Sequence, residues 1–362
     1  MQKKLIALAV AAAFSAPAFA DNANVTIYGK GFLTFDQASS NAAGAVSHMR
    51  VNTNASRFGV KGSEDLGDGL TGLFQYEVEM DADGSGLATT STTTTTVNGA
   101  TPAVAGTPVT ATSTTKSTSG GFAKTRNSGV GIEGGFGKVM LGVWDSPFKV
   151  AHNKIELFDN TSSWTSTAVI GRSAGQDYNT RQKNMVQYWS PKMGGLQAAV
   201  MYSPDEAKTA TVDKNILSMS ATYDEGDIYA SAAYERRSDV VAGTTDGAFR
   251  AVGRYSLGDL WVGAMFESIK VNSSLTKSTT GKNFEVAGQY KMGANSLAVS
   301  YAKAGSTAAV GAAANDVNQL SLKYGYNFSK RTELFAAYAS NKANNGTSVT
   351  KSYLGGGIIH SF

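Results

Sequence analysis

Apolar and polar residues alternate along most of the chain. In residues 25–36, Val25, Ile27, Gly29, Gly31, Leu33 and Phe35 fall on one face, and Thr26, Tyr28, Lys30, Thr34 and Asp36 on the other. Successive side chains of a strand point to opposite faces, so this period of two predicts a strand with one apolar side. Residues 47–62 repeat the pattern, with Phe58 and Val60 opposed to Arg57 and Lys61. In residues 70–81, Phe74, Tyr76, Val78 and Met80 oppose Gln75, Glu77, Glu79 and Asp81. Further strands are predicted at 122–133, 138–144, 184–190, 196–204, 216–224, 228–237, 247–257, 260–271, 283–292, 296–303, 317–328, 332–341 and 350–362. That makes about sixteen.

The links between them alternate as well. Short turns join Gly62 to Leu70, Glu133 to Lys138, Ser190 to Leu196, Asp224 to Ile228, Leu257 to Leu260, Met292 to Ser296 and Phe328 to Thr332; the remaining links are longer and polar. An even strand number with short turns at one end and long loops at the other is the pattern of a transmembrane β-barrel. In hydrocarbon, an unpaired backbone N–H or C=O costs several kcal/mol, so a sheet that crosses a membrane must close on itself. The expected fold is therefore all-β, a single antiparallel transmembrane barrel over residues 21–362.

Two stretches interrupt the alternation. Residues 82–121 are a low-complexity run of Thr, Ser, Gly and Ala that cannot build a core, and are expected to form a long exposed loop, disordered or clasping a neighbour. Residues 144–177 are of ordinary composition but concentrate Asp145, Lys149, His152, Lys154, Glu156, Asp159, Arg172 and Asp177 in a chain only 17% charged. A loop of that length inside a compact body is usually functional, and residues 144–183 are expected to fold into the barrel and narrow its pore.

Composition adds limits. Residues 1–20 have the basic start, short apolar run and Ala18-Phe19-Ala20 ending of a cleaved export leader. Removal of Lys3 and Lys4 lowers the formal charge from +4 to about +2, which lacks the concentrated basic face of a nucleic-acid binder. Beyond the leader no apolar run reaches helix-spanning length. There is no cysteine, so an exported chain must be stabilised without disulfides. The three histidines, His48, His152 and His360, are dispersed, with no HExxH and no paired metal spacing. Two other readings remain open at this point: an adhesin presenting the Thr-rich loop, and a barrel hydrolase using His152 beside Asp145 and Ser146.

The segment Ser56–Gly69, SRFGVKGSEDLGDG, resembles the trimeric general porins of Gram-negative outer membranes, in particular their β-proteobacterial branch. The opening VTIYG, GGFGKVMLG at 134–142, NMVQYWSP at 184–191, SKRT at 329–332 and the terminal HSF sit where that family has counterparts. The resemblance implies a homotrimer among the lipid and lipopolysaccharide of the outer membrane, passing small hydrophilic solutes and ions without cofactor, metal or catalysis. It makes the central loop an inward-folded eyelet. Arg57 and Arg181 match family arginines of the facing wall; Arg126 matches a third, although strict alternation sets it with Val130 and Ile132 on the lipid side. With them the eyelet would take Asp145, Lys149, Lys154, Glu156 and Asp159, and the wall Lys30, Lys61, Glu77, Glu79 and Lys183. Met140 and Val143 stand where many relatives have arginine, so a weak anion preference or near-neutral selectivity is expected.

Overall fold

The computed structural model describes residues 24–84, 87–97, 109–119, 122–159, 162–307, 315–344 and 347–362. The leader, residues 1–20, lies outside them. Sixteen staves form one antiparallel sheet: β1 (Asn24–Ser40), β2 (His48–Thr53 and Arg57–Gly67), β3 (Leu70–Met80), β4 (Phe122–Thr125 and Ser128–Gly134), β5 (Gly137–Asp145), β6 (Arg181–Trp189), β7 (Leu196–Ser203) and β8 (Ile216–Glu225). They continue as β9 (Ile228–Ser238), β10 (Thr245–Leu257), β11 (Leu260–Asn272), β12 (Ser278–Met292), β13 (Asn295–Thr307), β14 (Asn315–Asn327), β15 (Thr332–Asn344) and β16 (Ser348–Ser361).

Every stave pairs with its neighbour in sequence, and β16 pairs with β1 from Lys30↔Ser361 to Ser40↔Lys351, which closes the barrel. Closure leaves no sheet edge unpaired. The outward face is apolar and uncovered, with Ile27, Phe35, Val130, Leu141, Phe266 and Leu354 all exposed. In water such a surface would drive aggregation; hydrocarbon is the solvent that suits it. The alternation read along the chain is thus apolar toward lipid and mixed toward the lumen.

Strict alternation fails where the ladder slips. On β4, Thr125 pairs with Val78 and Gly129 with Gln75, so four steps on one strand face three on the other. On β6 the register with β5 shifts between Gln182 and Met185, with Asn184 in the left-handed region at φ 50°. Both are one-residue bulges, and each re-aims the side chains beyond it.

The Thr-rich stretch departs from the expected structureless loop. Leu87–Val97 pairs antiparallel with Val109–Ser119 in a two-stranded sheet separate from the barrel. β-branched threonine favours extended backbone, so a run that cannot form a core can still pair with itself.

Candidate functional site

The long link between β5 and β6 enters the barrel. Ser146 caps the one-turn helix α1 (Pro147–Val150), its hydroxyl accepting from Lys149 N at 3.3 Å with proline at the first helical position. From there the chain is bonded to inward-facing groups around much of the wall. Ser218 on β8 accepts from Phe148 N at 3.1 Å, and Tyr229 on β9 donates to Ala151 O at 2.7 Å. Arg254 on β10 donates to Lys154 O at 2.9 Å, and His152 Nε2 meets Glu285 Oε2 on β12 at 2.6 Å, both side chains almost wholly buried. Gln319 and Ser321 on β14 donate to Thr165 O and Trp164 O at 2.9 and 2.7 Å.

The firmest anchor is a fully buried ion pair. Arg250 on β10 holds Glu267 on β11 at 2.7 Å, and its Nη1 donates to Phe148 O at 3.0 Å. Glu267 also accepts from Gly171 N of the loop and from Asn283 at 2.6 Å. Apolar contacts fill between these bonds, with Phe158 and Trp164 packed against Phe32 and Phe335, and Ile155, Val169 and Ile170 against Val252, Trp261 and Met265. Gly263 on β11 lets the loop lie this close, because a Cβ there would collide with Ile155. Among the described residues, no hydrogen bond ties residues 146–179 to β3, β4 or β7. The loop is bonded to β1, β2, β8 to β12, β14 and β16, and leaves β3, β4 and β7 without such a bond.

Charged side chains cluster between the loop and staves β1 to β6. Asp159 on the loop, at φ 57°, accepts from Lys30 Nζ of β1 at 2.7 Å and from Arg57 Nη2 of β2 at 2.9 Å. Asp145 takes Lys149 at 2.6 Å and Arg181 at 3.0 Å, while Asn127 bridges Arg181 and Asp145. Arg126 bonds Glu77 at 2.6 Å and approaches Glu79 at 3.5 Å, and Tyr28 donates to the second oxygen of Glu77 at 3.1 Å. Five cations and four carboxylates are joined in these pairs, a net of one positive charge.

The placement of Arg126 by alternation is corrected here. Arg126 sits at the β4 bulge, buried against inward-facing Glu77, because the extra residue reverses the parity that pairs it with Val130 and Ile132. Arg181 reaches Asp145, its partner in the β5–β6 ladder, on the loop side of the β6 bulge. Lys183 lies exposed at that bulge, and Lys61 stands exposed with its Nζ 5.4 Å from the Tyr28 ring.

The loop acids differ from one another. Burial pushes Asp159 up, but Arg57 and Lys30 outweigh it and hold the carboxyl below its ordinary value. Burial lowers Lys149 despite the pull of Asp145. Glu156 is not the expected lip of the pore. Its carboxylate closes a turn within the loop, accepting from Phe158 N at 2.7 Å and from the hydroxyls of Thr165 and Ser166 at 3.0 Å each, and burial pushes it up. Lys154 points away from the charged cluster to Asp224 at 2.9 Å.

Where an arginine is expected by family resemblance, Met140 joins Met185 and Met201 in an apolar cluster backed by Leu73, Trp144 and Trp189. The hydrolase reading loses its cluster. His152 is spent on Glu285, and Gly171-Arg172-Ser173-Ala174-Gly175, which has the spacing of a nucleophile motif, runs through the two-residue pairing of Arg172–Ser173 with Gln176–Asp177. A nucleophile elbow needs a strand-to-helix turn and a histidine at the serine, and Ser173 has neither. Glu267, Glu285 and Asn127 were not among the expected site residues; the signal of Glu267 and Glu285 was charge at mid-strand inward positions, whereas Asn127 lies in the break of β4 and had none.

A family model described as Gram-negative porin matches residues 7–346. Outer membrane porin protein 32 of Delftia acidovorans is 27% identical over 355 residues, 94% of this chain and 90% of that protein. Major outer membrane protein P.IB of Neisseria sicca is 26% identical over 400 residues, the whole of both chains. Among solved structures, the anion-selective porin from Comamonas acidovorans superposes with a TM-score of 0.75 at 24% identity, covering 94% of this chain and 100% of that one. The outer membrane channel DcaP of Acinetobacter baumannii gives 0.64 at 16%, covering 96% and 99%.

Proposed function

This chain belongs to the Gram-negative porin family, outer-membrane barrels, and from that premise we propose that it is a passive diffusion channel for small hydrophilic ions and solutes, with weak anion preference, narrowed by residues 144–183. The observation that carries the finer reading is the loop carboxylate Asp159 held by Lys30 and Arg57, beside Asp145 with Lys149 and Arg181. A constriction lined by fixed charges of both signs and a net of one positive favours anions slightly, and low-dielectric walls focus that field. The anion-selective porin from Comamonas acidovorans supports the same sign. Methionine in place of arginine at position 140 argues for a smaller effect.

Planar-bilayer recording tests this: stepwise ohmic conductance with a small anion-directed reversal potential across a salt gradient. A cation-directed potential overturns the selectivity, and the lack of any conductance overturns the channel. The functional unit of this proposal is a homotrimer, as one related structure is described as a trimer form. Cross-linking in mild detergent that yields monomers alone refutes it.

A further inference from the structure

The inward wall around β3, β4 and β7, to which the loop makes no hydrogen bond, carries an apolar patch that ion flow does not need. A conducting lumen is polar. Here Met140, Met185 and Met201 pack together, with Leu73, Trp144 and Trp189 against them. The register places Met140, Met201 and Leu73 inward. Gln75, two residues from inward-facing Glu77, pairs with Lys61 and Gly129; Gly131 pairs with Leu73 and Met140; and Gln187 pairs with Met140 and Met201. Gly131 belongs to this bed, because a Cβ there would collide with the Met140 sulfur.

At the short-turn end of the patch, Lys61, Leu73, Gln75, Lys138, Met140 and Trp144 line a pocket of about 270 Å³. Two of these are cations. Lys61 is exposed on the face of Arg57, four residues nearer the turn between β2 and β3, and Lys138 is the second residue of β5. Lys138 Nζ stands 4.3 Å from the centre of the Trp189 ring, whose face attracts the ammonium and steadies it. Among the described residues neither lysine has a salt bridge, and no acid lines the pocket. Glu133, paired with Lys138, and Asp65, which accepts from Gly67 N at 2.9 Å, are exposed at the same end of the barrel.

These walls specify a ligand. A thioether near a ring edge is a favourable contact, and Trp144 already meets Trp189 edge to face, with centroids 6.0 Å apart at 76°. Two cations without an acid call for a negative charge. The volume lies below that of pockets for drug-sized ligands, so it suits one ring with a short substituent.

We propose that this pocket is a lumenal binding site for small aromatic carboxylates. The ring lies against Leu73, Met140 and Trp144, and the carboxylate is held by Lys61 and Lys138. The site presupposes the diffusion channel, whose permeating solutes reach it, and its binding is weak enough to release them.

The test titrates the full-length barrel in detergent with benzoate, with benzamide, which keeps the ring and loses the charge, and with acetate, which keeps the charge and loses the ring. Saturation-transfer NMR reads the binding. The parent binds benzoate with a Kd on the order of millimolar and each of the others at least about fivefold more weakly. Lys61→Gln/Lys138→Gln brings benzoate down to the level of benzamide and leaves benzamide unchanged. Met140→Gln weakens benzoate and benzamide alike and spares acetate. The lysine pair leaves the methionine packing in place, so it carries the test even if the Met140 variant does not fold. In planar bilayers benzoate reduces the chloride current of the parent saturably, and of the lysine variant far less. Equal binding of the three ligands by the parent, or an undiminished benzoate preference in the lysine variant, overturns the pocket while ohmic conductance keeps the channel standing; benzoate binding without any conductance overturns the channel alone.

Discussion

Asp159→Asn removes one carboxylate from the charged cluster while leaving its two cations, Lys30 and Arg57, in place. The isosteric amide keeps the loop turn, so the change is chiefly one unit of charge. For an ion about 6 Å away in a water-like dielectric, one charge is worth about 0.7 kcal/mol, which 0.15 M salt cuts to about 0.3 kcal/mol. The change acts with opposite sign on anion and cation, so the anion-to-cation permeability ratio rises about threefold. At 1 M salt, with a Debye length of about 3 Å, the same step shrinks below about 1.5-fold. The assay is the reversal potential across a fixed gradient at both ionic strengths. Glu156→Gln is the internal control, because that carboxylate is bonded inside the loop and should move the potential far less. An unchanged potential for Asp159→Asn at low salt, or an equal shift from Glu156→Gln, refutes the placement of Asp159 beside the ion path.

Three further outcomes follow from the loop and its surroundings. Arg250→Met leaves Glu267 buried without its cation, which costs about 3–5 kcal/mol; thermal unfolding should fall accordingly and the open-channel current should become noisy, while Arg250→Met/Glu267→Met recovers most of the loss. Burial raises Glu156 above its ordinary value of 4.5, so the stability it contributes is complete below about that pH and is lost as pH rises through the folded value. Glu156→Gln should therefore raise the melting temperature at pH 7 relative to the parent and give no gain at pH 4. Asp159 has the opposite sign: held below 3.8, it contributes stability above that pH that is lost as pH falls through the lower folded value, so Asp159→Asn should cost stability at pH 7 and little in stronger acid. Deleting residues 87–119, whose paired strands form a sheet of their own, should leave folding and conductance near the parent, and a closed or unfolded product would make that hairpin structural.

Much of this molecule is local and so was open to reading along the chain. Alternation at Val25, Ile27, Leu33 and Phe35, the short turns and the long polar links each depend on neighbours within a few residues, and they determined the sixteen staves, the lipid-facing side and the loop that departs from the pattern. The barrel had to close because hydrocarbon offers the backbone no other partners. What lay beyond the sequence depends on strands that meet only in three dimensions. The β4 bulge exists because Ser128 and Arg126 bond the backbone of Glu77, some fifty residues away, and it reverses the face that alternation gives Arg126. Glu156 and Asp159 are three positions apart and both acidic, yet one meets the hydroxyls of its own loop and the other meets Arg57, 102 residues distant. His152 finds Glu285 across 133 residues. A side chain's charge is written in its codon, but whether that charge faces water, a partner or the ion path is fixed by which distant strand the closed sheet brings opposite it.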